Sequence, residues 1–453
     1  MYKNTEHVAK ITALSSEGAG IAKIDGYTVF VPSCVTGDVV KLLIVKENKN
    51  FGYGKLLEIV TPSPLRTDPS CKVFGKCGGC SLQVLKYPAQ LEFKRKKVED
   101  ALRRIGGFTD IEVTEVYGSE PNTYYRNKAQ YPAAEANGGV AAGFYAPHSH
   151  RCVVCDDCTL QDKRNNEILN HVTNWATQNN ITVYDEKTGK GTLRHICVRC
   201  GKDEAVLTLV TAKPIKKSDS LVKSITEKFP YITGIVENYN DKKTNVIYGE
   251  KDVVLYGVPY IYDFIGDIKY KVHYRSFYQV NPYTTKLLYE KAVEFASPEK
   301  DQNVFDLYCG TGTISLFLAK KAAKVIGIEI VDAAVENAKE NAKLNNITNA
   351  FFYCGEAEKK APELIKEGVT SDIVVLDPPR KGCGEELLTA IGEMSPEKIV
   401  YVSCDPATMA RDAKILCQYG YKISDVSVYD QFPHTSHVES VVLLEQLSLP
   451  DGK

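Results

Sequence analysis

The chain has 453 residues, 43% hydrophobic and 25% charged, with a formal net charge of −1. That length allows about three domains, and no apolar run reaches the ~18–20 residues a membrane helix requires. A balance this close to neutral excludes global attraction to nucleic acid, so any RNA binding must come from local patches. The first residues, Met1 to His7, contain no apolar signal core, which reads as a cytoplasmic protein; fourteen cysteines in a reducing compartment point to metal or catalysis rather than disulfides.

From about residue 7 to 60 the chain alternates apolar and polar residues at period two between glycines, as in Gly26 to Pro32 and Asp38 to Val45. Short strands at this spacing predict a small barrel. Gly18-Ala19-Gly20-Ile21-Ala22, Phe30-Val31-Pro32 and Gly37-Asp38 resemble the TRAM domain, an OB-like RNA-binding module. Lys46, Lys49, Phe51, Tyr53 and Lys55 interleave cations with aromatics, which suits backbone contact and base stacking and equally suits a solvated barrel face. Thr61-Pro62-Ser63-Pro64 then reads as a linker.

Cys71, Cys77 and Cys80, separated by five and two residues with glycines between, form a metal or cluster signal that needs a fourth ligand. Cys152, Cys155 and Cys158 can supply one, and four sulfurs suit zinc or iron–sulfur alike. Cys197 and Cys200 lie in a strand-like stretch and read as core. Leu91, Val98, Leu102 and Ile105 recur at helical spacing with Lys94, Arg95, Lys96, Lys97, Arg103 and Arg104 between them, predicting a basic amphipathic helix. Its cations are either solvated or, with Tyr124 to Lys128 nearby, a phosphate-contacting face. From about 139 to 265 strand-like and helix-like pieces alternate, predicting a central α/β domain.

The strand Asn303 to Leu307 leads into Tyr308-Cys309-Gly310-Thr311-Gly312-Thr313 and a helix; about twenty residues on, a second strand ends in Glu329. Glycines at a strand–turn–helix junction let a ligand approach the backbone, and an acid there can hold both ribose hydroxyls. This is the order found in class I methyltransferases, with an NAD site as the competing reading. Asp372 to Leu376 is a strand ending in Asp377-Pro378-Pro379-Arg380, a rigid polar anchor or a plain turn. Lys398 to Val402 is another, ending in Ser403-Cys404-Asp405-Pro406, and open α/β sheets place ligands at such strand ends. Cys404 is therefore a candidate nucleophile, against the plainer reading of a small buried hydrophobe. Glu439 opens the apolar strand that closes the chain; in isolation it reads as an edge-strand surface acid, with a buried proton-transfer group as the sharper alternative.

Phe277 to Asn281, Asp306 to Gly310, Asp377 to Arg380, Ser403 to Thr408 and Phe432 to Glu439 stand in the order of the RNA uracil-5-methyltransferases. Taken together the chain resembles the branch with a TRAM domain and an iron–sulfur cluster that acts on 23S rRNA. The resemblance implies an α/β chain: a TRAM barrel at residues 1–62, a central cluster-bearing domain at 63–268 and a class I, Rossmann-like methyltransferase domain at 269–453. It implies Cys404 as nucleophile and Glu439 as general base, with Gln279, Tyr308, Glu329 and Asp377 around S-adenosylmethionine. It also implies Cys71, Cys77, Cys80 and Cys158 as ligands of a [4Fe–4S] cluster. The expected partner is RNA, 23S rRNA first, met by a monomer away from any membrane. A tRNA enzyme and a non-catalytic RNA-binding assembly factor are the alternatives.

Overall fold

The computed structural model describes residues 3–447. The period-two stretch forms five strands, Glu6–Leu14, Gly20–Ile24, Tyr27–Val31, Val39–Glu47 and Phe51–Thr61, closed into a barrel with no free edge. Alternation turns Ile11, Val29, Val31, Val40, Leu42 and Ile44 inward, all fully enclosed. On the outside, Phe30, Phe51 and Tyr53 form a triangle of rings 5.8, 6.0 and 5.7 Å apart, and the Lys46 ammonium lies 5.8 Å from the Tyr53 ring. The stretch after the barrel is strapped down: buried Asp38 accepts from the Ser63 N–H at 2.8 Å and pairs with Arg66 at 2.6 Å.

The middle of the chain builds a seven-stranded sheet from Lys128–Ala136, Gly139–Tyr145, Cys152–Val154, Leu193–Cys200, Ala205–Thr211, Ile232–Tyr239 and Lys251–Gly257. The helices Lys163–Gln178 and Ser218–Lys228 cover it through Ile168, Leu169, Val172, Leu221 and Ile225. Cys197 and Cys200 are core residues, the latter donating to Asn165 Oδ1 at 3.1 Å.

The last sheet has eight strands. Ala350–Cys354, Lys324–Glu329, Asn303–Leu307, Ile373–Leu376 and Lys398–Ser403 run parallel in that spatial order. Then Glu439–Gln446 pairs antiparallel with Lys398–Ser403, followed by Tyr421–Tyr429 and, at the edge, Glu115–Tyr117. The edge strand comes from a stretch the sequence assigns to the middle region. It covers what would otherwise be the bare edge of Tyr421–Tyr429, and Tyr117 stacks on Tyr429 with centroids 4.9 Å apart.

The helix Tyr87–Ala101 also packs on this sheet, which corrects the reading of its cations. Val98 and Leu102 enter the same core as Phe305, Leu307 and Tyr401. Lys94 is fully buried against Asp430, and Arg95 pairs with Glu92 and Glu99 at 2.6 and 2.7 Å. In the Tyr124 to Lys128 run Tyr125 and Asn127 are enclosed, while Tyr124, Arg126 and Lys128 remain partly exposed. Burial claims Lys94 and part of Lys97 because the segment 430–436 closes over them, while Lys96, Arg103 and Arg104 stay exposed to solvent. No helix among the described residues is long and apolar enough to cross a membrane.

Candidate active site

The carboxyl ends of the parallel strands converge on one side of the last sheet. After Leu307 the backbone turns sharply: Tyr308, Gly310 and Gly312 all take positive φ, at 66°, 55° and 77°. A Cβ at Gly310 would meet nothing within 4 Å, so the loop leaves open space over its own backbone. Glu329, at the end of the next strand, fixes this loop by accepting from Gly310 N–H at 3.1 Å and from Val331 N–H at 2.8 Å. The Tyr308 hydroxyl donates to Glu358 at 2.8 Å, a partner the sequence does not single out. Gln279, nearly buried, accepts from the Gln431 side chain at 3.3 Å.

Asp377 follows Leu376 at the centre of the same edge. Burial, with the charge of Asp306 behind it, pushes its carboxyl up to about 7. Cys404 follows Ser403 on the neighbouring strand, just before Asp405, whose side chain accepts from the Ala407 and Thr408 N–H groups at 3.0 and 3.2 Å and caps the next helix. Ser403 pairs with Ser440 in the antiparallel register, which sets Glu439 beside Cys404. Glu439 is 5% exposed, so the surface reading of this acid is wrong; it lies on an inner strand, between Lys398–Ser403 and Tyr421–Tyr429. Burial raises its carboxyl well above the usual range, Asp377 adds to the rise, and Arg380 and Lys94 oppose it. The Cys404 thiol is pushed up to about 11, first by burial and then by Glu439 and Asp377, with Arg380 pulling the other way. Cysteine, two acids and an arginine from three strand termini thus share one electrostatic compartment.

The segment that delivers Glu439 is held from every side. Gln90, Lys94 and Lys97, on one face of the helix Tyr87–Ala101, grip it in sequence. Gln90 exchanges hydrogen bonds with His434 at 3.0 and 3.1 Å, Lys94 donates to Phe432 O at 3.0 Å as well as pairing with Asp430, and Lys97 donates to Ser436 O at 2.9 Å. The N–H groups of Ser81 and Leu82, just past Cys80, both donate to His434 O at 3.1 and 3.0 Å. Tyr125 donates to Pro433 O at 3.1 Å, and His434 itself sits at φ 67°.

Residues 86–447 match the family model described as tRNA (uracil-5-)-methyltransferase, and residues 2–57 match the TRAM domain. The chain belongs to the RNA uracil-5-methyltransferase family. An RNA methyltransferase of Bacillus cereus is 48% identical over 96% of this chain and 95% of its own length. One of Clostridium tetani is 47% identical over 98% and 96%. Among solved structures, the Pyrococcus abyssi tRNA (uracil-54, C5)-methyltransferase in complex with S-adenosyl-L-homocysteine has a TM-score of 0.78 at 30% identity, covering 97% of this chain and all of that one. The chain is thus an S-adenosylmethionine-dependent RNA uracil-5-methyltransferase by family, with a class I methyltransferase fold behind a TRAM barrel.

In this methyltransferase the second group of predicted residues gathers beside the first. The side chain of Cys155 hydrogen-bonds both Cys71 and Cys158, and Cys77 and Cys80 face Cys71 and Cys158. Among the described residues, no His, Cys, Asp and Glu side chains form a group of three or more that could hold a metal ion. The donors around the sulfurs nevertheless divide them. Cys77 accepts from Gly79 N–H and Cys80 from Gln83 Nε2, both at 3.3 Å. Backbone hydrogen bonds from Val73 and Phe74 reach Cys71, and others from Leu160 and Gln161 reach Cys158. The four sulfurs that the resemblance names as ligands are those that main-chain or amide donors address. Sequence reasoning missed Arg380, Lys94, Gln431 and Glu358. Arg380 was within reach, since it ends the Asp377 motif; the other three acquire their roles only through contacts far apart in the chain.

Proposed function

We propose that this methyltransferase transfers a methyl group to carbon 5 of a uridine in 23S rRNA through a covalent adduct between Cys404 Sγ and carbon 6 of the ring. The observation that carries the reading is the strand register that sets Glu439 against Cys404 at the strand ends. Carbon 5 of uracil is a poor nucleophile. A thiolate adding to carbon 6 moves the ring electrons so that carbon 5 can attack an electrophilic methyl. S-adenosylmethionine, when bound, supplies that methyl on a sulfonium; Gln279, Tyr308, Glu329 and Asp377 would hold it, with Glu329 placed for the ribose hydroxyls. The carbon 5 proton then passes to Glu439, the electrons return to re-form the 5,6 double bond, and the Cys404 sulfur leaves. An acid well above its usual range suits this work, because it binds the proton firmly enough to take it from carbon. A uracil in RNA reaches a thiol at a strand end only by leaving its stack. The Phe51, Tyr53 and Lys46 group on the outside of the TRAM barrel, backed by half-buried Phe30, is a surface on which neighbouring bases can stack.

Cys71, Cys77, Cys80 and Cys158 fit a [4Fe–4S] cluster by their number, their sulfur chemistry and the donors aimed at them. No step of the methylation runs through it, so its place is structural. The thiol group and the TRAM barrel favour rRNA as substrate. A tRNA is the second reading, supported by the full-length likeness to a tRNA enzyme.

The test is methyl transfer from labelled S-adenosylmethionine. Cys404→Ala should lose on the order of 10⁴-fold or more in rate while keeping cofactor binding. Glu439→Gln should permit addition and methylation and accumulate a protein–RNA adduct, visible on a denaturing gel. Retained turnover in the first variant, or no adduct in the second, sinks the mechanism. Mapping 5-methyluridine in rRNA and tRNA from a deletion strain decides between the two substrates.

A further inference from the structure

A groove of about 1010 Å³ opens between the ends of Lys128–Ala136, Gly139–Tyr145 and Leu193–Cys200 and the loop 182–191, away from Cys404. Arg151, Lys187, Lys190 and Lys213 line it, all exposed, and none of the four has an ion-pair partner among the described residues. Beneath them lies Arg194, 6% exposed, whose guanidinium donates only to the carbonyls of Asn240, Lys242 and Thr244. Its charge is therefore buried without a carboxylate. Beside it His195 borders the same groove at 8% exposure.

The acids of the groove are mostly occupied. Asp185 is tied up by Lys187 N–H and Thr188 Oγ1 at 2.8 and 3.1 Å, and Glu186 by His150 at 2.7 Å, which leaves Glu135 as the unengaged carboxylate. The walls are flat and aromatic: Tyr145 stacks on His150 with centroids 5.1 Å apart, and Arg194 lies 4.5 Å over the Tyr184 ring. Unpaired cations along the rim of an open groove suit the phosphates of a nucleic-acid strand. A free nucleotide would offer the same chemistry. The groove is also joined to the catalytic centre: Gly78 N–H donates to Tyr145 O at 3.1 Å, and the chain then runs through Cys80 to Ser81 and Leu82 on His434.

We propose that this groove binds a second stretch of the substrate RNA, away from the uridine that enters the Cys404 centre, and so helps to select which RNA is modified. The inference rests on the family's action on RNA. The test uses Lys187→Glu, Lys190→Glu and Lys213→Glu together, surface changes that spare the core and the Cys404 centre. Binding is measured for labelled oligouridines of about 6 and about 30 nucleotides against salt. The variant should bind the longer RNA about 10-fold or more weakly, with a salt slope shallower by about 2, and hold the shorter one as the wild type does. Methyl transfer at saturating RNA should keep its rate. Unchanged affinity for the longer RNA would overturn the proposal, and so would an equal loss for both lengths. ATP competing with the longer RNA at equal concentration would also overturn it, by assigning the groove to a free nucleotide. If wild-type protein binds both RNAs and transfers no methyl group to any RNA, the catalytic reading fails while the groove stands.

Discussion

The Cys404 centre and the Cys71–Cys158 group are both gatherings of thiols and polar groups inside one chain, yet different things hold them in place. At Cys404 the sheet does the positioning. Parallel strands end together, and an antiparallel partner starts where Ser403 stops, so strand register brings Cys404, Asp377 and Glu439 together, and the helix Tyr87–Ala101 holds the segment that leads into Glu439. The sulfur group has no such frame. Cys71, Cys77, Cys80 and Cys158 sit outside regular elements, addressed by N–H donors from Val73 and Phe74, from Gly79, from Gln83, and from Leu160 and Gln161 in turn. Burial raises Cys404 to about 11 and Cys80 to about 12, whereas hydrogen bonds to Cys71 and Cys158 pull those two thiols down. The difference lies in what offsets that cost: a nearby arginine at Cys404, and local donors around the sulfur group. The first arrangement permits a thiolate that comes and goes, the second suits sulfurs held permanently as ligands.

The most severe way to break the strand-end centre leaves its reactive groups in place. Lys94 and Asp430 are both fully buried, and Lys94→Met leaves Asp430 without its counter-ion and Phe432 O without its donor. Removing one partner of such a pair costs about 3–5 kcal/mol. The variant should melt well below the wild type, and at temperatures where it stays folded the Glu439 segment should be displaced, with slower release of the covalent adduct. A melting temperature within a degree or two of wild type would show that the sheet register alone positions Glu439.

That pair also marks how far the sequence carries. The strand-end motifs are legible because α/β chemistry sits where strands stop, and the glycine loop, Glu329, Asp377 and Cys404 all announce a strand end. The barrel is legible from alternation and glycines. Glu439 is not, since an acid between Val438 and Val441 looks the same on an edge strand as on an inner one; only the edge pairing by Glu115–Tyr117 and Tyr421–Tyr429 decides it. Lys94 is misread for a related reason. Helical spacing tells which residues share a face, and nothing local tells that Asp430 to Ser436 will cover that face. Cys155 shows the same limit: spacing treats Cys152, Cys155 and Cys158 alike, and the donors that separate them come from loop backbone.

The sulfur group can be broken more selectively. Cys80→Ser or Cys158→Ser should abolish iron and sulfide in anaerobically purified protein, whereas Cys155→Ser, which removes a sulfur lacking those donors, should leave both. Gln83→Leu takes away the donor to Cys80 and should weaken metal retention about 10–100-fold without removing a ligand. Iron lost equally in Cys155→Ser would move the ligand set; stoichiometric zinc without iron in the wild type would replace the cluster.

The smallest effect sharpens the comparison from the Cys404 side. Adduct formation needs the thiolate, and a thiol raised to about 11 is mostly protonated near neutrality. The rate of addition should therefore climb about tenfold per pH unit from pH 7 and level off only as the thiol titrates. Part of the rise comes from the Glu439 charge, which raises the thiol once that acid is ionised. Glu439→Gln removes the charge, so its profile should keep the same slope and level off at lower pH, with the two curves separating on the alkaline side. Coincident curves would mean that burial alone sets the thiol and that Glu439 meets Cys404 chemistry only after methylation, at the carbon 5 proton.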